Sequence, residues 1–471
     1  GGGQKLAPND GTSNSALLKL GYDISDRIRI DFGQQFYYIE NYRPGNAQAK
    51  HLQIYDSSIG KYVPYNQQTG IRQDDSTFHV TTHDAHGNED GRLTLYRTKN
   101  TSWSGPFQSL YSGETQTLET YGFDIQKTLR KDFRRFGNHT FVIGSNYYRD
   151  INHTLQKNGQ GGGNIPDGQQ QVYGFYGSDE IKFPHGIVLT PSLRYARYNT
   201  FASDSSTSTS GAILPKITLA WHPNRNWMVY LSWGKNYRAP TIQETNMNYI
   251  VTPNSYYFLP NNKLKPESAR TYEGGFSYNK SGLFSTKDHA SVRATGFYED
   301  ATNLIQLSVI GHHWSPLYQR NEINYQYTNI QHATRYGIEL RATYNIENIN
   351  FGLSYSHLRV KDANTGANLL AQPDKVAADV SYTFPKIGLT AMYSLTAVEA
   401  QDYDSTITRR RPGYMLHDIL FDWQMPGKPW RVNFAVTNLT NKTYYMYKSI
   451  SSNNDVPEIG RSFRFNIAYK F

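Results

Sequence analysis

Alternation with a period of two constrains this chain more than any other feature. In the final stretch Phe463, Phe465, Ile467, Tyr469 and Phe471 fall on one parity, and Ser462, Arg464, Asn466, Ala468 and Lys470 on the other. Successive side chains of a strand point to opposite faces, so such a segment has one oily and one wet surface. The pattern recurs. Tyr336, Ile338, Leu340, Ala342 and Tyr344 alternate with Arg335, Gly337, Glu339, Arg341 and Thr343. Trp430, Val432, Phe434 and Val436 alternate with Arg431, Asn433, Ala435 and Thr437; Ile419, Phe421 and Trp423 with Asp418, Leu420 and Asp422; and Phe141, Ile143 and Tyr147 with Val142, Gly144 and Asn146. No helical period appears that could supply elements to cover these oily faces. Arg and Glu at alternate mid-strand positions are costly in a packed sandwich core, whereas a water-filled or plugged lumen leaves them hydrated or paired.

Composition points the same way. Only 38% of the 471 residues are hydrophobic, yet 14% are aromatic. A chain this polar struggles to build a large soluble core, and a disordered chain would be poor in aromatics. A transmembrane antiparallel β-barrel reconciles both, because its lumen and loops are polar and its thin outward band is flanked by aromatic girdles. No apolar run approaches the roughly 20 residues that a membrane helix needs. The absence of Cys excludes a disulfide framework, a thiolate metal site and a thiol nucleophile. The net charge of +9 is spread along the chain, which suits anionic ligands or lipopolysaccharide and not nucleic acid. No linker-like shift divides the chain, so one barrel domain over residues 1–471 is expected.

The connections alternate in length. Short ones fall at Ile24–Asp26, Pro184–Gly186, Pro223–Asn226, Glu347–Asn348, Phe384–Lys386 and Pro426–Lys428. Long ones run over residues 44–75, 152–169, 241–264, 311–324, 361–373, 401–412 and 447–459. Short periplasmic turns opposite long extracellular loops are the asymmetry of outer-membrane barrels. Counting gives about 19 strands, an odd number for an intact bacterial barrel. The first, around Ala16–Ile24, and the last, Arg461–Phe471, both run inward. A barrel of about 22 strands, the size of plugged transporters, would then lack roughly its first three. Residues 44–114 are the weak part of this count and leave two readings open, two strands at about Ser76–Asp84 and Arg92–Trp103 or mostly loop. The opening GGGQKLAPNDGTSNS has neither a start Met nor a signal peptide and reads as loop, so a fragment or processed product is expected.

Particular segments carry a family resemblance. Trp233-Gly-Lys-Asn-Tyr-Arg238-Ala239-Pro240-Thr241 ends an upward strand, and Leu264-Lys265-Pro266-Glu267, followed by Glu273-Gly274-Gly275-Phe276, opens the strand after the next outer loop. The pair resembles the "FRAP" and "NPNL(K/R)PE" boxes of TonB-dependent outer-membrane receptors. Thr437-Asn438-Leu439-Thr440-Asn441-Lys442-Thr443-Tyr444-Tyr445 is similar to the family's "NLfdk.Y" segment, and Gly460-Arg461 with the terminal strand resembles the family's ending. The resemblance runs from about Ser15 to Phe471. It implies a 22-stranded barrel in the bacterial outer membrane, occluded by an N-terminal plug whose TonB box meets the inner-membrane energy machinery. No plug or TonB box precedes Gly1 in this sequence, so those functions are expected of an absent N-terminal part.

Arg238, Ala239, Pro240, Thr241, Gln243 and Glu244 resemble the haem and haemophore branch of that family. That branch places a haem-ligating His between the two boxes; here residues 241–262 contain none and offer Met247, Tyr249, Tyr256 and Tyr257. Tyr and Met can ligate haem iron. The next outer loop carries His312, His313 and Trp314, with Tyr318 nearby, and imidazole is a good iron ligand. The favoured ligand is therefore haem or a haem-carrying protein, such as haemoglobin or a haemophore, and no intrinsic cofactor is expected. The alternative is a ferric catecholate siderophore, stacked on Tyr249, Tyr256, Tyr257 and Phe258 and met by Arg409, Arg410 and Arg411. That Arg run is read first as lipopolysaccharide contact or solubility. A monomer is expected.

His79, His83 and His86 have a metal-like spacing, but nothing beside them completes a tetrahedral set, so they are read as structural. Gly161–Gly163 has no strand-to-helix context and is read as flexible connection. No nucleophile elbow, zinc-protease helix or acid–base pair stands out, and the lumen-side carboxylates are read as ion-pair ladders opposite Arg. An enzyme is not expected. The remaining rivals are a general porin, and a barrel-embedded enzyme such as a lipase or protease or a soluble all-β surface protein.

Overall fold

The computed structural model describes residues 10–44, 53–56, 61–64, 66–106, 114–133, 135–156, 167–202, 207–251, 256–315, 319–369, 371–400, 411–446 and 457–470. The strands in chain order are β1 (Asp10–Ser25), β2 (Ile28–Pro44), β3 (Gln53–Asp56), β4 (Lys61–Pro64), β5 (Asn66–His83), β6 (Glu89–Pro106), β7 (Glu114–Asp132), β8 (Asn138–Gln156), β9 (Gly168–Lys182), β10 (Ile187–Ala202), β11 (Thr207–Asn224) and β12 (Trp227–Arg238). They continue as β13 (Tyr249–Val251), β14 (Tyr256–Leu259), β15 (Glu267–Ser281), β16 (Asp288–Ser315), β17 (Arg320–Ile346), β18 (Ile349–Asp362), β19 (Asn368–Leu369), β20 (Lys375–Phe384), β21 (Leu389–Val398), β22 (Tyr414–Gln424), β23 (Trp430–Thr437) and β24 (Ser462–Tyr469). One helix of a single turn and a half, α1 (Ile242–Asn246), lies between β12 and β13.

A 22-stranded sheet contains all of these except the β3–β4 hairpin. Three members, β13, β14 and β19, are short pieces in outer connections, which leaves nineteen strands for the wall. Each wall strand pairs antiparallel with the next in sequence, as an up-and-down meander requires. Among the described residues, β1 pairs only with β2 and β24 only with β23. The expected strand number therefore holds, and of the two readings of residues 44–114 the structure has the two-strand one, as β5 and β6.

The register converts the alternation into two surfaces. Tyr298, Gly296 and Ala294 of β16 face Tyr336, Ile338 and Leu340 of β17, which in turn face Arg359, His357 and Tyr355 of β18. At the end of the chain Phe421, Phe434 and Phe465 form one outward row, and Asp422, Asn433 and Asn466 the neighbouring inward one. The outward residues stay exposed in the isolated chain: Phe463 is 66% and Phe465 65% accessible. In water each such side chain forgoes about 1.5–3 kcal/mol of burial; in a bilayer hydrocarbon takes the place of a core. The buried hydrophobic set is correspondingly small and sits mostly at the outer end, around Ala301, Leu304 and Ala333. On the inward face Arg335 pairs with Glu299 at 3.1 Å and Arg29 with Asp31 at 2.8 Å, though Arg293 lies directly across from Arg341. A lumen tolerates that like-charged opposition, so the expected ladder of Arg against carboxylate is only partial.

The short connections lie where the sequence placed them. Glu347 adopts φ 49° in the turn between β17 and β18, and His185 φ 64° in the single turn Pro184–Gly186. In the turn from β15 to β16, buried Asp288 accepts from the amides of Leu283 (2.7 Å), Phe284 (2.8 Å) and Ser285 (2.9 Å) and from the Tyr344 hydroxyl (2.9 Å). Burial alone would raise its pKa, but those four donors outweigh it and hold the carboxyl down at about 2.

The long connections differ from expectation. Residues 311–324, read as loop, are the tops of β16 and β17, so the connection between them is confined to residues 316–319. The two strands, of 28 and 27 residues, rise past the wall as an arm. Likewise β5 begins at Asn66 inside the loop expected over 44–75, and β8 and β9 extend into that expected over 152–169.

Candidate ligand-binding site

At the outer end of β12, Arg238 donates to two carboxylates. Its Nε and Nη2 reach Glu267 at 2.7 and 2.5 Å, and its Nη1 reaches Glu244 at 2.8 Å. Glu267 also accepts from the Ile305 amide at 2.8 Å, so one guanidinium ties β12, β15, α1 and β16 together. Helix α1 starts on a capping box, in which Thr241 and Glu244 each satisfy the other's backbone N–H. Ala239, Ile242 and Leu264 are buried, and the Pro240 carbonyl accepts from Gln170 of β9 at 3.0 Å. The boxes thus fold the intervening loop onto the mouth of the wall. Pro266 leads straight into β15, and its ring disfavours the helical region for Lys265 before it.

The loop is also sewn to the arm. Asn329 of β17 accepts from the Lys265 amide at 2.8 Å and donates to the Lys265 carbonyl at 2.8 Å. Asn261 donates to the Tyr327 carbonyl, and Gln326 to the Pro260 carbonyl, each at 2.8 Å. β14 then pairs parallel with β17, Tyr257 opposite Asn324, and β13 pairs with β14. Two connections that are separate in sequence are thus joined by backbone pairing at the outer end of the sheet.

That sheet brings together residues from both candidate groups. The rings of Tyr257 and His313 meet edge-on with centroids 4.2 Å apart, and Phe258 stacks on Tyr325 at 5.4 Å. His313 Nδ1 lies 2.7 Å from the Asn324 amide oxygen, which makes Nδ1 the donor. Its Nε2 lies 3.3 Å from Glu322, whose side chain is 1% exposed. With Nδ1 held by Asn324, Nε2 faces the buried Glu322 carboxylate, and a metal could reach that nitrogen only by displacing the contact. Trp314, 59% exposed, stands beside it on the opposite parity with exposed His312.

The other candidates are placed differently. Met247 is the C-cap of α1 and only 5% exposed, so its thioether is packed rather than offered to a ligand. Tyr249 and Tyr256 are strand residues described by their backbone alone. Tyr318, Arg409 and Arg410 lie outside the described residues, as do Gly161–Gly163. His79 hydrogen-bonds Thr94 at 2.9 Å inside the wall, and among the described residues no cluster of His and carboxylates could hold a metal ion. Glu322, Asn324 and Asn329 escaped the sequence reading, because polar residues in what reads as loop give no periodic signal.

The terminal motif is structural too. Asn438 takes φ 52°, a conformation that Asn tolerates. Its side chain closes a turn on both the amide and carbonyl of Lys442, each at 2.8 Å, while its own amide donates to Asp418 at 2.7 Å. Asn441 accepts from the Arg461 amide at 2.9 Å, joining the two ends of that outer connection.

Residues 9–439 match the family model described as TonB dependent receptor-like, beta-barrel. The heme/hemopexin utilization protein C of Haemophilus influenzae (strain 86-028NP) is 24% identical over 100% of this chain and 71% of its own length. A double mutant of the Serratia marcescens hemophore receptor HasR, solved with its hemophore HasA and heme, superposes with a TM-score of 0.77 at 17% identity, over 99% of this chain and 72% of that one. The siderophore receptor PirA of Acinetobacter baumannii superposes with a TM-score of 0.74 at 15% identity, over 99% and 72%.

Proposed function

This chain belongs to the TonB-dependent receptor-like β-barrel family, and from that premise we propose that it captures haem, free or carried by a protein such as a haemophore, outside the outer membrane. Its wall provides the passage, and its loop 239–266 together with the β16–β17 arm provides the recognition surface. The observation that carries the reading is the edge contact of Tyr257 with His313, which sets a phenol ring and an imidazole in one place. A flat, iron-centred macrocycle needs both, stacking for its face and a nitrogen or phenolate for its iron. Trp314 is exposed on the opposite face of β16 and is not part of that pair. The family's energy-coupled step belongs to a plug and TonB contact, so inward transport is proposed for the receptor as a whole. A relative with a heme/hemopexin name supports haem over a siderophore.

The test is a haem titration of the intact receptor in detergent, followed at the Soret band. His313→Ala and Tyr257→Ala are each expected to weaken affinity by about tenfold or more, the scale of a lost metal ligand or its support, and to alter the band position. A ferric catecholate siderophore should not compete. Unchanged haem affinity in both variants, or tight binding of the catecholate instead, would overturn the assignment.

A further inference from the structure

The outer half of β16 is a strand with one neighbour. β15 pairs with β16 only as far as Ser268 opposite Thr302, whereas β17 follows it to Arg320 opposite Ser315. From Leu304 to Ser315 the other edge therefore has no strand beside it among the described residues. The Ile305 amide shows which way that edge faces, since it donates sideways to Glu267 of β15 at 2.8 Å. In an antiparallel ladder the N–H and C=O of one residue point to the same side, and the side alternates along the strand. The amides of Leu307 and Val309 thus face the same way as that of Ile305, and no hydrogen bond meets either of them among the described residues.

This stretch lies beyond the membrane. A tilted strand spends about 9–11 residues in a bilayer, and β16 leaves its short turn at Asp288. The stretch also lacks the usual guards of an edge. Between Leu304 and Ser315 there is no Pro and no Lys, Arg, Asp or Glu, the residues that keep free edges from pairing with other chains. One bulge, between Val309 and Gly311, interrupts it and leaves Leu304–Val309 unbroken below. Val309 is 51% exposed, and Ile310 and Trp314 are exposed above it.

An uncharged strand with a free edge accepts an extended segment of another chain, main chain to main chain. A second copy is a poor occupant. Antiparallel pairing of two identical edges needs a twofold axis across the strands, and that axis would turn the second barrel upside down in a facing membrane. The occupant therefore arrives from the outer medium. We propose that the β16 edge at Leu304–Val309 docks a haem-carrying protein by taking one of its edge strands as a further strand of the arm. The class of partner rests on the haem reading above. The same strand carries His313 in contact with Tyr257, so a protein seated on this edge brings its haem beside that pair.

Proline tests the edge without cutting the hairpin. At Leu307 and Val309 it removes amides that face away from β17, which an edge strand tolerates. The intact receptor in detergent is titrated with free haem at the Soret band and, by biolayer interferometry, with two haem-loaded carriers, the hemophore HasA and hemopexin. The parent is expected to bind at least one carrier. Leu307→Pro/Val309→Pro should weaken that binding by about tenfold, the scale of two main-chain hydrogen bonds, and Leu307→Ala/Val309→Ala should stay within about threefold. Free-haem affinity and heat-modifiable migration should be unchanged in both. Equal carrier binding by the proline variant, an equal loss in the alanine variant, no binding of either carrier by the parent, or a receptor dimer that the proline variant loses overturns the inference. A parent that ignores free haem yet docks a carrier in a proline-sensitive way supports the edge and overturns the haem pair, so the two failures are distinguishable.

Discussion

Arg238 shows how a motif residue can hold a loop against the wall. Its three contacts reach two carboxylates on different elements, and hydrogen bonds to charged groups are worth about 1.5–3 kcal/mol each before discounting for the solvent this side chain still sees. Arg238→Ala should therefore release the segment 239–266 from the mouth. Limited proteolysis is expected to cut there in the variant and not in the parent, with haem affinity reduced and the wall intact; an uncut loop would contradict the role. Arg238→Lys should rescue only partly, since a point charge cannot replace a fork that spans Glu244 and Glu267. The importance of Arg238 and Glu267 was legible in the sequence as a pattern, but their pairing was not. Met247 shows the opposite error: a thioether in the right loop reads as a ligand, and only the packing of α1 reveals it as buried.

Among the elements, strands in the membrane were legible because lipid enforces the alternation on one face along their whole length. The arm was not. Beyond the membrane both faces of β16 and β17 meet water or protein, so His312, His313 and Trp314 follow one another with no oily parity, and the segment reads as loop. The same holds for Asn66–Asp75, a polar run that is nonetheless paired on both sides by β2 and β6. Replacing residues 304–330 by a short turn should leave a heat-modifiable barrel and abolish haem binding; retained binding would place the site elsewhere. The β15–β16 turn carries a pH signature. Asp288 is held at about 2, below its unfolded value near 3.9. Its contribution is therefore complete above that unfolded value and fades as pH falls from about 4 toward 2. Asp288→Asn should lower the melting temperature in detergent at pH 6, and the gap to the parent should close near pH 2. A gap that persists there would mean the carboxylate charge is not what organises the turn.

At the scale of the whole molecule the account rests on a single solvent assignment, that outward residues such as Phe434, Phe465 and Leu340 meet hydrocarbon while Asn433, Asn466 and Arg341 face the lumen. The absence of Cys from these 471 residues makes this directly measurable. Single cysteines at Leu340, Arg341, Asn433, Phe434, Phe465 and Asn466 are labelled with a fluorophore, and the intact receptor is placed in bilayers containing brominated lipid chains. Strong quenching at Leu340, Phe434 and Phe465 with little at their three neighbours is the predicted result. Quenching without that alternation, or a folded protein that never enters the bilayer, would contradict the barrel and everything built on it.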